Sequence, residues 1–164
     1  MGEPSLYERL GGVYAISAVV DSFSDQLVEK GTIEEQNSNI ADWNEHKAAS
    51  RLPGLKFLRT LWLCAIAGGP FEYTGLPLDE AHSDLQLSSS DFDQVSAVLA
   101  DTLEHFNVPP REKEEVLGAF EAHKPEVTAP REYALPASGE WTFPAASLSA
   151  VELATCAGLA AVVM

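Results

Sequence analysis

Midway along the chain the sequence reads Gly68-Gly69-Pro70-Phe71-Glu72-Tyr73-Thr74-Gly75-Leu76-Pro77-Leu78-Asp79-Glu80-Ala81-His82. The paired glycines and the proline end an apolar helical segment, since both residue types are poor helix formers. A Tyr-Thr-Gly turn follows, and then a histidine, His82. An apolar floor, a loop after it and one imidazole are what a protein needs to hold a flat metal macrocycle by one axial bond. This stretch therefore predicts a cofactor site as well as a helix boundary.

Apolar residues recur at helical spacing on both sides of this stretch. A helix is predicted over Val13–Lys30, where the apolar positions of one face are Val13, Ile16, Val19, Val20, Phe23 and Leu27. Pro53 is predicted to begin the helix that ends at Gly68, because proline suits the first helical position. Ser88-Ser89-Ser90 offers N-caps for another helix, and Pro109-Pro110 begins a further one. No segment alternates as a strand does, so the chain is predicted to be all-α.

Two segments lack a helical period. Residues 31–54 are mostly polar, and a connection of this length is typical of a functional lid or a flexible insertion. From Lys124 onward the segment is punctuated by prolines, and it ends in an apolar run over 148–164. That run is short for a membrane span and carries Glu152, so packing on the domain or on a second subunit is favoured over membrane insertion.

Composition narrows the functional class. The chain has 164 residues, enough for one domain with a sizeable core, and a formal net charge of -15. This acidity argues against binding to nucleic acid or to anionic membranes, both of which require clustered Lys and Arg. The amino terminus has no basic region followed by an apolar stretch, and Cys64 and Cys156 form no CxxC pair. We therefore expect a cytoplasmic protein with free thiols.

Several motifs occur in an order that is typical of one family. They are Leu6-Tyr7-Glu8-Arg9-Leu10-Gly11-Gly12, Ala15-Ile16, Val19-Val20-Asp21-Ser22-Phe23, Gly68-Gly69-Pro70, Tyr73-Thr74-Gly75, Ala81-His82 and Phe92. This ordered set resembles the truncated hemoglobins, the two-over-two globin family, and within it the first group. The resemblance covers residues 5–125. It implies a two-over-two globin-like helical sandwich over 1–125, followed by a Pro/Ala-rich C-terminal extension over 126–164.

The resemblance implies that His82 ligates the iron of a heme, an iron protoporphyrin. In that family the histidine that follows the Tyr-Thr-Gly turn is the proximal iron ligand. The chemistry agrees, because neutral imidazole suits iron and a backbone carbonyl can orient its other ring nitrogen. Without such context a histidine is more often an ordinary surface or core residue. We interpret His105 and His123 in that way.

The resemblance also implies which residues surround the porphyrin. The apolar residues expected on the proximal side are Leu78, Phe92 and Val95. Those expected on the distal side are Phe23, Leu55 and Leu63. All of these residues are equally compatible with the core of a helical bundle. The candidate partners for the heme propionates are Tyr73, Lys56 and Arg51, which offer a hydroxyl or a cation to a carboxylate.

The chain departs from the family pattern on the distal side. The family usually has a tyrosine directly after the Phe of its second helix, where its hydroxyl donates to the bound gas, and here that residue is Ser24. Serine has a donor but a shorter reach, so the gas should be held weakly unless another group replaces the tyrosine. Arg59 is the candidate, because it lies within an otherwise apolar helical face. The alternative is that Arg59 extends to the rim of the pocket, with its charge in water.

Residues 31–54 also depart from the pattern. The bulky Phe that usually packs against the porphyrin after the second helix has no clear counterpart, and Ile40 or Trp43 could take its place. His46 could reach the iron as a sixth ligand. A solvated loop histidine is the favoured interpretation of His46.

These inferences predict a heme protein that binds a diatomic gas, oxygen, nitric oxide or carbon monoxide, at iron ligated by His82. A nitric oxide dioxygenase activity would also need firmly held oxygen and a reductase partner. Because Ser24 weakens that case, gas binding is favoured over enzymatic turnover. The alternative is a globin-shaped interaction module with weak or lost heme binding. Oligomerisation through the C-terminal extension is compatible with either function.

Overall fold

A computed structural model of the chain describes residues 3–29 and 37–128. The α-helices in these two ranges are α1 (Leu6–Arg9), α2 (Gly12–Glu29), α3 (Ser38–His46), α4 (Ala48–Ile66), α5 (Leu78–His82), α6 (Ser89–His105), α7 (Pro110–Ala122) and α8 (Lys124–Thr128). A 3-10 turn over Ser83–Leu85 follows α5. The described ranges contain no strand, and the all-α prediction is confirmed.

The first layer of the fold is the antiparallel pair α2 and α4. Toward the end of α2, the carboxylate of Asp25 lies 2.6 Å from Nζ of Lys56, early in α4. Toward the start of α2, Ile16 packs with Cys64, near the end of α4. Ile16, Val20 and Cys64 are all buried and form the core of this layer.

The second layer is the antiparallel pair α6 and α7. Ser96 Oγ donates to Glu121 Oε1 (3.1 Å), and Lys113 Nζ donates to Glu104 Oε2 (3.1 Å) at the other end of the pair. α2 packs across α6, so the two layers share a second buried core. The members of this core are Phe23, Leu99, Leu103 and Val116. Ser88 caps α6 and Pro110 is the first residue of α7, as the sequence predicts.

Tyr7 explains why glycines end α4. Its backbone N–H donates to the carbonyl of Ala67 (2.8 Å), and its phenol oxygen accepts from the N–H of Val13 (3.1 Å). A Cβ on Gly69 would lie 2.6 Å from the Tyr7 ring, so a side chain there would expel that ring. Gly68 has φ +79°, a conformation that glycine adopts without steric cost. Tyr7 therefore joins the end of α4 to the start of α2.

The structure corrects two expectations about residues 31–54. The predicted lid or insertion is wrong for its described part, 37–54, which contains α3 and the beginning of α4. α3 is not predicted from the sequence because its residues are mostly polar. Its N-cap is Asn37, whose side chain accepts hydrogen bonds from two backbone N–H groups. Pro53 lies inside α4 and does not begin it. Proline has a φ that is compatible with a helix but lacks a backbone N–H. Pro53 therefore removes one hydrogen bond from α4 without ending the helix.

Predictions from the sequence also concern the C-terminal extension, the cysteines and the possibility of a membrane span. α8 spans the boundary that we predict between residues 125 and 126, and residues 129–164 lie outside the described residues together with Cys156. The extension and its packing stay predictions. Cys64 is a free, fully buried thiol, and burial raises its pKa. Within the two described ranges, no helix is both long and apolar enough to cross a membrane.

Asp91 ties α3 to the start of α6. Its carboxylate accepts from the backbone N–H of Ser88 (2.9 Å) and from Nδ2 of Asn37 (3.0 Å), and the same Asn37 amide donates to the carbonyl of Leu85 (3.1 Å). Asp91 is only 4% exposed. Burial acts to raise its pKa, but the hydrogen bonds from Ser88 and Asn37 outweigh burial, and the pKa lies below its ordinary value.

We predict that Asp91→Ala lowers the free energy of unfolding by about 2 kcal/mol, because it leaves the buried Asn37 amide without a strong acceptor and removes part of the α6 cap. Denaturation with urea, followed by circular dichroism, measures this. Asp93→Ala is the matched control, since Asp93 is exposed and paired with Lys124 at the surface, and it should cost less than about 1 kcal/mol. Equal losses in the two variants would contradict the role of Asp91.

The same contact predicts a pH dependence. Because the pKa of Asp91 is lower in the folded than in the unfolded chain, its contribution is complete above the ordinary value of 3.8. The contribution is lost as pH falls through the lower folded value. The stability difference between wild type and Asp91→Ala should therefore shrink below that pH, which the same denaturation series would reveal.

Candidate functional site

His82 is the last residue of α5, and its ring is held by the helix itself. Nδ1 lies 2.8 Å from the carbonyl oxygen of Leu78, one helical turn earlier. A carbonyl only accepts, so this contact assigns the proton to Nδ1 and leaves the lone pair on Nε2. That lone pair is available to a metal ion. A metal-binding histidine has this arrangement, with one nitrogen oriented by a carbonyl and the other free to coordinate.

The surroundings of His82 keep the imidazole neutral. Burial lowers the pKa of His82 below its ordinary value of 6.5. The hydrogen bond to the Leu78 carbonyl acts in the opposite direction, and the positive charge of Arg59 lowers the pKa of His82 further. Neutral imidazole is the form that binds iron. The donor set therefore fits an iron porphyrin.

Arg59 projects inward from α4. Its Nη1 donates to Ser24 Oγ (3.0 Å) on α2, and its Cζ lies 5.6 Å from the centroid of the Phe23 ring. Ser24 is fully buried and Arg59 itself is half-buried, so this contact directs the guanidinium toward the interior. Burial lowers the pKa of Arg59 to about 10, and the side chain remains charged at neutral pH. Of the two interpretations left open by the sequence, the inward one agrees with this geometry.

Arg59 and His82 face a common region from different helices. The charge of Arg59 acts on His82, yet α5 has its extensive contacts with α8 and not with α4. Leu55 lies one turn before Arg59 on α4 and is only half-buried. Leu78, at the start of α5, is also half-buried. Both leucines therefore keep part of their apolar surface uncovered.

Two residues that the resemblance implies for the pocket, Leu63 and Val95, pack against the buried core. Leu63 packs against both buried clusters, and Val95 packs against the cluster that contains Phe23. Phe23 belongs to that core and also contacts Arg59, so it has both roles. The structure therefore brings Phe23, Ser24 and Arg59 together, and it places Leu63 and Val95 against the core clusters.

Phe92 belongs to an aromatic cluster that sequence reasoning missed. It is 3% exposed and stacks on Phe120 with ring centroids 4.8 Å apart. Trp62 meets the edge of Phe120 at 6.4 Å and lies 5.1 Å from the ring of His123. The cluster joins α4, α6 and α7. The apolar spacing on each helix was the only signal available, and it could not show that rings from three helices meet.

The three candidate propionate partners differ in what already binds them. Lys56 is paired with Asp21 and Asp25 on α2. The hydroxyl of Tyr73 donates to the carbonyl of Leu76 (2.8 Å) within its own turn. Arg51 is different, because its Nη1 is buried and has no hydrogen-bond partner among the described residues. Arg51 is therefore the candidate with a donor available for a carboxylate.

His46 lies on α3 and is exposed to solvent. The His46 side chain is 62% exposed, and its Nδ1 lies 3.2 Å from the carbonyl of Asp42 in the same helix. This exposure agrees with the solvated interpretation. Ile40 and Trp43 are half-buried on α3, and α3 packs mainly against α4.

Solved structures share this helical arrangement. Truncated hemoglobin from Tetrahymena pyriformis, in its Fe(III) form, matches with a TM-score of 0.62 and 23% sequence identity over 76% of this chain and 97% of that chain. The 2/2 hemoglobin from Synechococcus sp., cyanomet with covalently attached heme, matches with a TM-score of 0.60 and 24% identity over 76% and 98%. The fold is thus the two-over-two globin fold, as predicted.

Sequence comparisons give the family. A bacterial-like globin model matches residues 5–129, and the chain belongs to this family. Group 1 truncated hemoglobin GlbN of Mycolicibacterium paratuberculosis is 30% identical over 123 residues, which are 75% of this chain and 83% of the relative. Group 1 truncated hemoglobin of Tetrahymena thermophila is 30% identical over 108 residues, 65% of this chain and 79% of the relative. The resemblance to truncated hemoglobins is confirmed.

We predict that Arg59→Met does not destabilise the protein and raises the free energy of unfolding by up to about 1 kcal/mol. The reason is that an apolar side chain of similar length avoids the cost of burying a cation that has no carboxylate partner. Denaturation with guanidinium chloride measures this. Lys56→Met removes a cation that is paired with Asp21 and Asp25, and it should lower stability slightly. A loss above about 2 kcal/mol for Arg59→Met would show that Arg59 is a structural residue.

Proposed function

We propose that this globin binds heme through His82 as the proximal ligand, and that it binds a diatomic gas (oxygen, nitric oxide or carbon monoxide) at the iron. The observation that carries the proposal is the hydrogen bond from His82 Nδ1 to the Leu78 carbonyl, which leaves a neutral Nε2 free. Membership of the bacterial-like globin family supports heme-based gas binding. The relatives that match are hemoglobins, one of them with covalently attached heme.

The protein's contribution on the proximal side is orientation and charge. The Leu78 carbonyl holds the imidazole in one tautomer and raises the basicity of the coordinating nitrogen. Burial of His82 disfavours its protonated form, so protons compete less for Nε2. A heme bound there supplies the open coordination position for a gas.

On the distal side, Ser24 and Arg59 together replace the hydrogen-bond donor that a tyrosine usually provides in this family. Ser24 Oγ accepts from Arg59 Nη1 and so holds the guanidinium inward. Arg59 retains further N–H donors, which suit a ligand that carries partial negative charge. Ser24 is thus a positioning residue, and Arg59 is the donor that would interact with a gas if heme were bound by His82.

An apolar cavity supports a gas as the ligand. The cavity has a volume of about 140 Å³ and is lined by residues of α2, α4, α6 and α7, including Val20, Leu63 and Leu99. Apolar cavities of this size accommodate small apolar molecules. Val20 precedes Ser24 by one helical turn and Leu63 follows Arg59 by one turn, while neither Ser24 nor Arg59 itself lines the cavity.

We predict that His82→Ala weakens hemin binding by about 100-fold or more, because it removes the only proposed iron ligand of the chain. Titration of the purified protein with hemin, followed by the Soret band, measures this. His105→Ala is the matched control, since His105 is exposed, and it should bind hemin like the wild type. Added imidazole should restore the spectrum of His82→Gly. A Soret band that survives His82→Ala unchanged would reject the proposal in favour of a globin-shaped interaction module.

Arg51 and Lys56 provide a second comparison on the same helix. Arg51→Met should weaken hemin binding by roughly fivefold, the effect of one lost charge-assisted hydrogen bond to a propionate. Lys56→Met should leave hemin affinity unchanged, because Lys56 is engaged by Asp21 and Asp25. A larger loss of hemin affinity for Lys56→Met than for Arg51→Met would contradict this assignment and make Lys56 the propionate partner.

A further inference from the structure

Arg59 is charged, inward-facing and without an acidic partner in the part of the chain that the structure describes. Its polar contact there is the neutral hydroxyl of Ser24. Lys56, three residues earlier on the same helix, has two carboxylates within 2.7 Å. The chain carries 25 Asp and Glu against 10 Lys and Arg, so acidic side chains are abundant. The described acidic residues that form ion pairs do so with cations other than Arg59.

An isolated buried cation is unfavourable unless an anion offsets its desolvation. The hydroxyl of Ser24 satisfies one N–H but contributes no charge. Burial accordingly lowers the pKa of Arg59, and the uncompensated charge also acts on His82. The guanidinium therefore presents an uncompensated positive charge in a partly buried environment, where an attraction between charges is stronger than in water.

The short side chain of Ser24 leaves the charge of Arg59 accessible to a ligand. A serine side chain is much shorter than the tyrosine that the family resemblance leads us to expect, so it anchors the guanidinium without extending into the region that faces His82. The Phe23 ring, 5.6 Å from Cζ, supports the guanidinium from another side. The cation is thus held in place while its remaining N–H groups stay available.

We propose that Arg59 is a specificity-determining residue that makes the heme site selective for small monovalent anions, the chemical class of azide and nitrite, over neutral gases of similar size. An anion gains a charge-assisted hydrogen bond from the guanidinium, whereas a neutral gas gains only an ordinary one. The inference rests on the proposed function, because the anion binds at iron held by His82.

The test compares one anionic and one neutral probe on the heme-loaded protein. The dissociation constant for azide is measured on the ferric form and that for carbon monoxide on the ferrous form, both by optical titration. Arg59→Gln and Arg59→Met remove the charge, and either should raise the azide constant about tenfold or more. The carbon monoxide constant should change by less than about threefold in both variants.

Two further variants separate charge from other effects. Arg59→Lys keeps the charge and should hold the azide constant within about fivefold of the wild-type value. Lys56→Met removes a paired cation from the same helix and should change neither constant. Azide constants for Arg59→Gln and Arg59→Met that stay within about threefold of wild type would overturn the inference, and so would equal shifts for azide and carbon monoxide. Failure of the proposed function is recognised separately, since wild-type protein would then show no Soret band that depends on His82 before any azide is added.

Discussion

The antiparallel packing of α2 against α4 is the interaction on which the rest of the structure depends. Ile16, Val20 and Cys64 bury the contact, and the Tyr7 ring, which lies over Gly69, joins the end of α4 to the start of α2. Because the register is set at that end, residues further along the pair also meet, and Ser24 reaches Arg59. A shift of one residue in either helix would rotate these side chains by about 100° and separate them. The core packing therefore determines the polar pair of the site.

The two polar side chains of the candidate site, His82 and Arg59, have opposite effects on the stability of the folded chain. The hydrogen bond of His82 lies within its own helix and satisfies a buried ring nitrogen. The guanidinium of Arg59, by contrast, is partly buried with a hydroxyl as its partner, in a chain whose formal net charge is -15. A charge that is taken out of water without a counter-charge is costly. This imbalance is the physical basis for giving Arg59 a functional role.

Much of the helical framework could be predicted from local chemistry. Ser88 caps α6 and Pro110 begins α7, because capping hydroxyls and an initial proline act within one helical turn. Gly68 ends α4 for a local reason, its positive φ, whereas Gly69 is required by the ring of Tyr7, which is distant in sequence. α3 was missed because its polar sequence has no apolar period, and its stability depends on Asn37 and Asp91, which are distant in sequence. Pro53 misled the prediction of the start of α4, since its signal is compatible with several positions near a helix start.

The sequence by itself determined the all-α class and several boundaries of the longer helices, and it identified His82 and Arg59 as candidate site residues, because apolar spacing, helix breakers and family motifs can all be read along the chain. Only the tertiary structure decided which way Arg59 points, that Lys56 is bound to Asp21 and Asp25, and that Phe92 stacks on Phe120. Each of these contacts joins residues from different helices. Their geometry follows from helix packing and register, which no local pattern of residues specifies.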